Sequence, residues 1–484
     1  MAKKNILFAA FEASPFIKTG GLGDVSGALP VHLKNDKYDA RVILPLISSI
    51  PEEYKNRMKF VTSYEVPLGW RNQYCGLFTL MKGGVKYYFL DNEYYFKRSQ
   101  VYGEFDDAER VAFFSKAVLE TVRYIEKNYR PDIIHCNDWH TALIPVYLRE
   151  LYKGDPLFDP IRTVFTIHNL KFQGIYDIKT FRYLTAFPEY VFTPANMEFN
   201  YDANMLKAGI VFSDYVTTVS DTYAGEIQMP YYGEGLDGLM RHKNHSLCGI
   251  VNGIDYNVYA PEHDIQIYDH YTPETFDKKV NNKRGLQAEL GLPEDDNKFM
   301  IAMITRLTDQ KGLDLVNYVI ERIVDEHTQL VVLGTGDEKY ENLFRHYQWK
   351  YPERVSANIY YSDNRAHKLY AASDAMLMPS RFEPCGLTQL IALRYGSVPI
   401  VRETGGLKDT VQPYNWFENT GTGFSFANYN AEEMLNSINY AKTVYFTDRE
   451  RWKEIAIRGM RMDYSWNNSA RRYEELYYRL TPWY

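Results

Sequence analysis

Short apolar runs recur along the chain, separated by longer stretches in which apolar and polar residues mix. Residues 5–10, 40–44, 132–135, 163–168 and 215–219 make a first series, and residues 299–305, 329–333, 375–378 and 398–401 a second. Several runs lack polar/apolar alternation, as strands covered on both faces do. The segments 107–128 and 388–395 read as helices. Alternation of this kind predicts α/β units with parallel sheets. The polar, weakly periodic segment 256–282, with Pro261 and Pro273, breaks the rhythm. It divides the chain into domains at 1–255 and 256–464. A helical C-terminal stretch, 465–484, is expected to rejoin the first domain.

One hexamer is echoed. Thr19-Gly20-Gly21-Leu22-Gly23-Asp24 returns as Thr404-Gly405-Gly406-Leu407-Lys408-Asp409, once per domain, each near a strand end. Chance repetition is one reading. The other is a pair of doubly wound domains, each with a glycine loop at the carboxyl edge of its sheet, where ligands bind.

The chain has 484 residues, enough for several domains. The formal charge of −7 argues against nucleic acid as a partner. The four cysteines, Cys75, Cys136, Cys248 and Cys385, form no paired motif, so neither zinc nor a disulfide framework is expected. The apolar run from Ile6 to Phe11 follows two lysines but is too short for a secretion signal. No run reaches membrane-spanning length, so a cytoplasmic protein without a membrane partner is expected. The 42 tyrosines are packing and surface aromatics on the plain reading, and in a few places platforms for sugar rings on the sharper one.

Four groups of residues carry possible chemistry. Lys18 stands directly before the first glycine loop, which includes Gly21. Glycines there permit positive φ and close backbone approach, and a following helix N-terminus favours an anion. A plain tight turn remains open. The order differs from a P-loop, and the glycine spacing fails the dinucleotide fingerprint. Arg306 and Lys311 leave the first strand of the second domain five residues apart. They are either two solvated charges or a fork and a point charge converging on one diphosphate. Ser380 to Thr388 follows a strand and opens a helix, and Glu383 lies just before that helix end. It is an ordinary acidic residue there, or a carboxylate facing positive charge developing on a sugar. His135, Asp138, His140 and His168 cluster at strand ends, but their spacing matches no standard metal motif, and no metal site is expected. The sequence contains no D-x-D pair to hold a divalent ion.

Taken together, residues 18–25, 135–140, 166–174, 306–311, 383–387 and 404–407 resemble the bacterial glycogen synthases and plant starch synthases in order and distance, over nearly the whole chain. The resemblance implies two Rossmann-like doubly wound domains facing a deep cleft, the GT-B arrangement. It implies retaining transfer of glucose from ADP-glucose, a substrate rather than a cofactor, to the non-reducing 4-hydroxyl of an α-1,4-glucan such as glycogen. It implies that Lys18 contacts the donor, that Arg306 and Lys311 hold the diphosphate, and that His168 faces the glucosyl unit. Asp138 would lie near acceptor or sugar, and Glu383 would support the sugar. Gly386, Leu387 and Thr388, with Cys385 beside them, would offer a helix end to phosphate. Tyr361 would stack on adenine, and Asn252 would lie near the sugar. One departure from the wider retaining pattern is Ile391, where a second Glu eight residues after the first is usual; bacterial glycogen synthases share it. A retaining transferase with another donor, a glucan phosphorylase and a non-catalytic glucan-binding protein are the alternatives. The phosphorylases are much longer chains, and a mere binder would have no use for Lys18, Arg306, Lys311 and Glu383.

Because the expected diphosphate ligands are cationic side chains, turnover should persist in excess EDTA. Complete loss of activity, restored by Mg²⁺ or Mn²⁺, would overturn this.

Overall fold

The computed structural model describes residues 3–482. The chain forms two compact units. Unit 1 comprises residues 3–219, Ala224–Ile250 and 466–482; unit 2 comprises Ser220–Tyr223 and Val251–Ser465.

Unit 1 is built on nine strands. They are β1 (Lys4–Ala9), β2 (Tyr38–Pro45), β3 (Lys59–Leu68), β4 (Arg71–Lys82), β5 (Val85–Asp91), β6 (Ile133–Asn137), β7 (Arg162–Ile167), β11 (Tyr215–Thr218) and β12 (Leu247–Gly249). A small separate sheet holds β8 (Ile175–Tyr176), β9 (Glu198–Phe199) and β10 (Asp202–Asn204). The main order is β12-β11-β7-β6-β1-β2-β5-β4-β3. All neighbours from β12 to β5 are parallel, and β4 and β3 continue antiparallel. From β1 the chain moves outward through β2, then returns to lay β6 on the opposite side of β1. The strand order therefore reverses between β1 and β6.

Unit 2 holds β13 (Phe299–Ile304), β14 (Thr328–Leu333), β15 (Val355–Asn358), β16 (Ala375–Met378), β17 (Val398–Arg402) and β18 (Phe424–Phe426). Its order is β15-β14-β13-β16-β17-β18, parallel throughout. The reversal lies between β13 and β16. Successive residues of one strand point to opposite faces. Phe299, Ile301 and Met303 enter one apolar cluster, and Met300 and Ala302 the other. Both faces are covered by helices, so the strands read as unbroken apolar runs.

The strands expected in both series are present, with ends moved by one or two residues. Strands β8–β10, β12, β15 and β18 lie outside both series, and two further differences have a clear physical cause. The meander β3–β5 was not expected as strands, although β3 alternates buried Tyr64, Val66 and Leu68 with exposed Ser63, Glu65 and Pro67. The two-residue loop Gly83-Gly84, with φ of 56° and 76°, joins β4 to β5 as a left-handed hairpin turn requires. The helix expected over 107–128 stops at Thr121. Thr121 Oγ1 donates back to Ala117 O at 2.6 Å, and the next three N–H groups bond three residues back. Such side-chain bonding competes with the helical ladder.

The C-terminal helix Trp466–Leu480 belongs to unit 1. Buried Tyr477 meets His135 of β6 at 2.7 Å, and Thr166 of β7 meets the other ring nitrogen at 2.5 Å. His135 is thus a satisfied core histidine. In unit 2 the entering and leaving segments run side by side, Ile254 N–H donating to Tyr464 O at 2.9 Å. Tyr477→Phe should leave His135 without one partner and lower the stability of unit 1 by about 1–3 kcal/mol, the cost of an orphaned buried polar group. Urea unfolding followed by a probe in unit 1 checks this.

Candidate active site

Ligands of open parallel sheets bind beyond the carboxyl ends of the strands, where the order reverses. Each unit has one such place, and most of the expected residues lie on loops there, in two groups; Tyr361 instead follows the edge strand β15.

In unit 1 the loops after β1 and β6 leave the reversal point. Glu12, just past β1, is 2% exposed. Its carboxylate accepts from Thr19 N–H, from Thr19 Oγ1 at 2.8 Å, from Gly20 N–H at 3.3 Å and from the Tyr102 hydroxyl. The glycine loop is therefore held by a buried carboxylate. Lys18 pairs with Asp24 at 2.7 Å, and Gly21 opens the helix Gly21–Leu33. Positive φ is not what the glycines provide here: Gly20 is extended, at φ −166°. Close approach constrains Gly27, further along the following helix, where a Cβ would fall 2.4 Å from Ser14 O.

After β6, Asp138 sits at φ 58°, ψ −179°, a conformation costly for a non-glycine residue. Its carboxylate accepts from His168 N–H at 2.7 Å and from the Asn169 N–H. Burial nevertheless pushes its pKa up to about 7, the two backbone bonds opposing and Glu12 adding to the rise. His168, after β7, meets Asn137 Oδ1 through Nε2 at 3.0 Å. Burial lowers its pKa to about 3, so it is a neutral imidazole at physiological pH. His140 is buried against the rings of Tyr102, 4.3 Å away, and Phe11.

In unit 2 the loops after β13 and β16 leave the reversal point. Lys311 Nζ lies 2.6 Å from Glu383 Oε2, which also accepts from Ser380 Oγ at 2.9 Å. Glu383 is 7% exposed. The two loops are knitted together by Arg381 N–H to Gln310 O at 2.8 Å and Gln310 Nε2 to Phe382 O at 3.2 Å. Gly312, at φ 70°, lets this happen, because a Cβ there would lie 2.0 Å from Pro379 O. The echoed glycines have the same use. A Cβ on Gly405 would lie 2.0 Å from Glu383 O and one on Gly406 2.0 Å from Cys385 O, and Gly406 N–H donates to Glu383 O at 3.1 Å. Arg306 is exposed, with no hydrogen bond to its guanidinium among the described residues. Asn252 is buried; its N–H bonds the Cys385 sulfur, while its Oδ1 has no protein partner. Gly386 is at φ 75°, ahead of Leu387 and the helix Thr388–Arg394, which buries Ile391. Tyr361, after β15, is 81% exposed.

Residues 5–242 match the starch synthase catalytic domain and residues 288–458 the glycosyl transferases group 1 domain. The glycogen synthase of Lachnospira eligens is 58% identical, covering 98% of this chain and 99% of that one. The glycogen synthase of Lachnoclostridium phytofermentans is 56% identical over the same shares. The chain belongs to the glycogen and starch synthase family. The catalytic domain of starch synthase IV from Arabidopsis thaliana, bound to ADP and acarbose, superposes with a TM-score of 0.90 at 31% identity, covering 99% of each chain. The two-unit, doubly wound architecture is that of this glycosyltransferase family.

Sequence reading missed three members of the two groups. Glu12 directly follows the apolar run from Ile6 to Phe11, and a carboxylate closing a buried first strand is itself a signal. Tyr102 and Gln310 carried none, since their roles depend on partners distant in sequence. Among the described residues no group of three or more His, Cys, Asp and Glu is gathered as a metal ion requires, and no helix is long and apolar enough to cross a membrane.

A carboxyl whose folded pKa is raised favours the fold fully below its unfolded value near 3.9, and that contribution is lost as pH rises towards the folded value. Asp138 has its folded value at about 7. The stability of Asp138→Asn relative to the parent chain should therefore increase between about pH 4 and pH 7 and level off above. Urea unfolding across that range tests this; a pH-independent difference would contradict the buried, proton-binding carboxyl.

Proposed function

We propose that the chain transfers glucose from ADP-glucose to the non-reducing 4-hydroxyl of an α-1,4-glucan with retention of configuration, in the cytoplasm. The observation that carries this reading is the Lys311–Glu383 pair at the reversal point of unit 2, with exposed Arg306 on the loop beside it. It is supported by the identity to glycogen synthases and by the starch synthase IV structure, whose ligands are ADP and acarbose.

In this reading Arg306 and Lys311 hold the donor diphosphate, the guanidinium as a fork and the ammonium as a point charge. The helix end at Gly386–Thr388 adds backbone N–H groups, exposed Tyr361 stacks on the adenine, and Lys18 meets the donor from the first glycine loop. The orphan Asn252 Oδ1 accepts a sugar hydroxyl. His168 bonds the glucosyl unit as a neutral imidazole, and Asp138 faces the acceptor. The bond from the anomeric carbon to the diphosphate breaks, and the acceptor 4-hydroxyl attacks from the same face. Its proton passes to the departing diphosphate. Glu383 adjoins the phosphate side, and a covalent nucleophile must lie on the opposite one. It therefore supports sugar hydroxyls and balances positive charge developing on the ring.

The deciding assay is incorporation of labelled glucose into glycogen from ADP-glucose and from UDP-glucose. Incorporation from neither would overturn the reading. Arg306→Ala should lower turnover on the order of tenfold to over a hundredfold, the worth of a charge-assisted hydrogen bond at roughly 1.5–3 kcal/mol, without loss of stability. Lys311→Ala should do the same and also destabilise unit 2 by about 3–5 kcal/mol, since it strands buried Glu383. Wild-type kinetics in both variants would remove them from the site. Glu383→Gln should keep the fold and ADP binding but lose most transfer, and no glucosylated Glu383 should accumulate with a slow donor. A kinetically competent adduct in the mass spectrum would establish a covalent route instead.

A further inference from the structure

We propose that unit 1 carries a second ligand site, for a small organic phosphate, in the cavity between the helix Asp107–Thr121, the loop after the helix Leu143–Glu150 and the edge strand β3. This cavity holds about 290 Å³. Its β3 wall is Pro67, and β2, β5 and β4 separate β3 from the reversal point at β1. Nothing in the transfer reaction uses it.

The key group is Lys116, which lines the cavity and is only 7% exposed. Among the described residues its ammonium has no hydrogen bond and no ion pair; the Tyr147 ring centroid lies 5.4 Å away. A lysine buried this far, whose ammonium meets no protein acceptor, leaves an unbalanced charge at the cavity wall. Burial lowers the Lys116 pKa, with Glu120 opposing.

The two carboxylates in the lining are already engaged. Glu120 accepts from the Tyr152 hydroxyl and pairs with Arg123 Nε at 3.4 Å. Asp155 accepts from Arg123 at 2.7 Å and from Leu157 N–H at 2.9 Å. Arg123 is occupied by both. Lys153 stands in the lining, exposed and likewise without an acceptor among the described residues. Three cations therefore face two neutralised carboxylates, and two ammonium groups are left to bind an anion.

A phosphate has oxygens enough for both lysines. It alone would leave much of the volume to water, whereas Pro67, Leu151 and the Tyr152 ring can cover a carbon skeleton and the carboxylate oxygens can accept its hydroxyls. The size and lining fit a phosphorylated sugar or polyol.

The test is calorimetric titration of the full chain, with saturating ADP to occupy the diphosphate groups, using glucose 6-phosphate, glycerol 3-phosphate, inorganic phosphate and glucose as probes. The expected result is binding of a phosphorylated probe at one site and none of glucose. Lys116→Met should weaken that binding about tenfold or more, and Lys153→Met to a smaller degree, with glucose transfer unchanged in both. If Lys116→Met does not fold, the exposed Lys153→Met decides. Unchanged affinity in the folded variants, or no binding of any phosphorylated probe by the parent chain, would overturn the proposal.

Discussion

In a parallel sheet every strand ends on the same edge, and neighbouring loops diverge only where the strand order turns back on itself. That reversal is the constraint on which both units depend. It lies between β1 and β6 in unit 1 and between β13 and β16 in unit 2. The loops leaving those four strands carry Lys18, Asp138, Arg306, Lys311 and Glu383. The chemistry is placed by topology before any side chain is chosen, which is why residues distant in sequence, such as Lys311 and Glu383, meet at 2.6 Å.

Burial then sets the charge states. A carboxylate at a sheet edge is inexpensive while water reaches it, but these loops fold over their own acids. Glu383 keeps its place with an ammonium and a hydroxyl as partners, and Glu12 with four donors. Asp138 has two backbone donors, and burial outweighs them, so its proton is held to about pH 7. His168 is forced the other way and stays neutral. In unit 1 Asp138 and His168 are thus held at low charge, whereas the loops of unit 2 carry the cations Arg306 and Lys311.

Much of this was legible in the sequence. Unbroken apolar runs separated by helical stretches predicted parallel sheets, and the structure buries both faces of the unit 2 sheet. Glu383, Lys311 and Arg306 were visible as charges in the loops that follow strands. The β3–β5 meander was overlooked because its alternation is diluted by exposed aromatics such as Phe60, Trp70 and Tyr74. Partnerships were not legible at all. Tyr102 reaches Glu12 across 90 residues, and no local pattern marks such a bond.

The echoed Thr-Gly-Gly-Leu hexamer shows how one local pattern serves two physical ends. In unit 2 the glycines are demanded by sterics. Gly405 and Gly406 lie under the backbone of Glu383 and Cys385, where any side chain would displace the turn that aims the carboxylate. In unit 1, Gly20 faces open space and would accept a Cβ without a clash. There the loop is shaped by the Glu12 carboxylate, which collects the N–H groups of Thr19 and Gly20. One loop is positioned by what it must avoid and the other by what it must bind. An alanine in the second hexamer would therefore perturb Glu383 through the backbone. A change at Glu12 would release the first loop while leaving its own glycines intact.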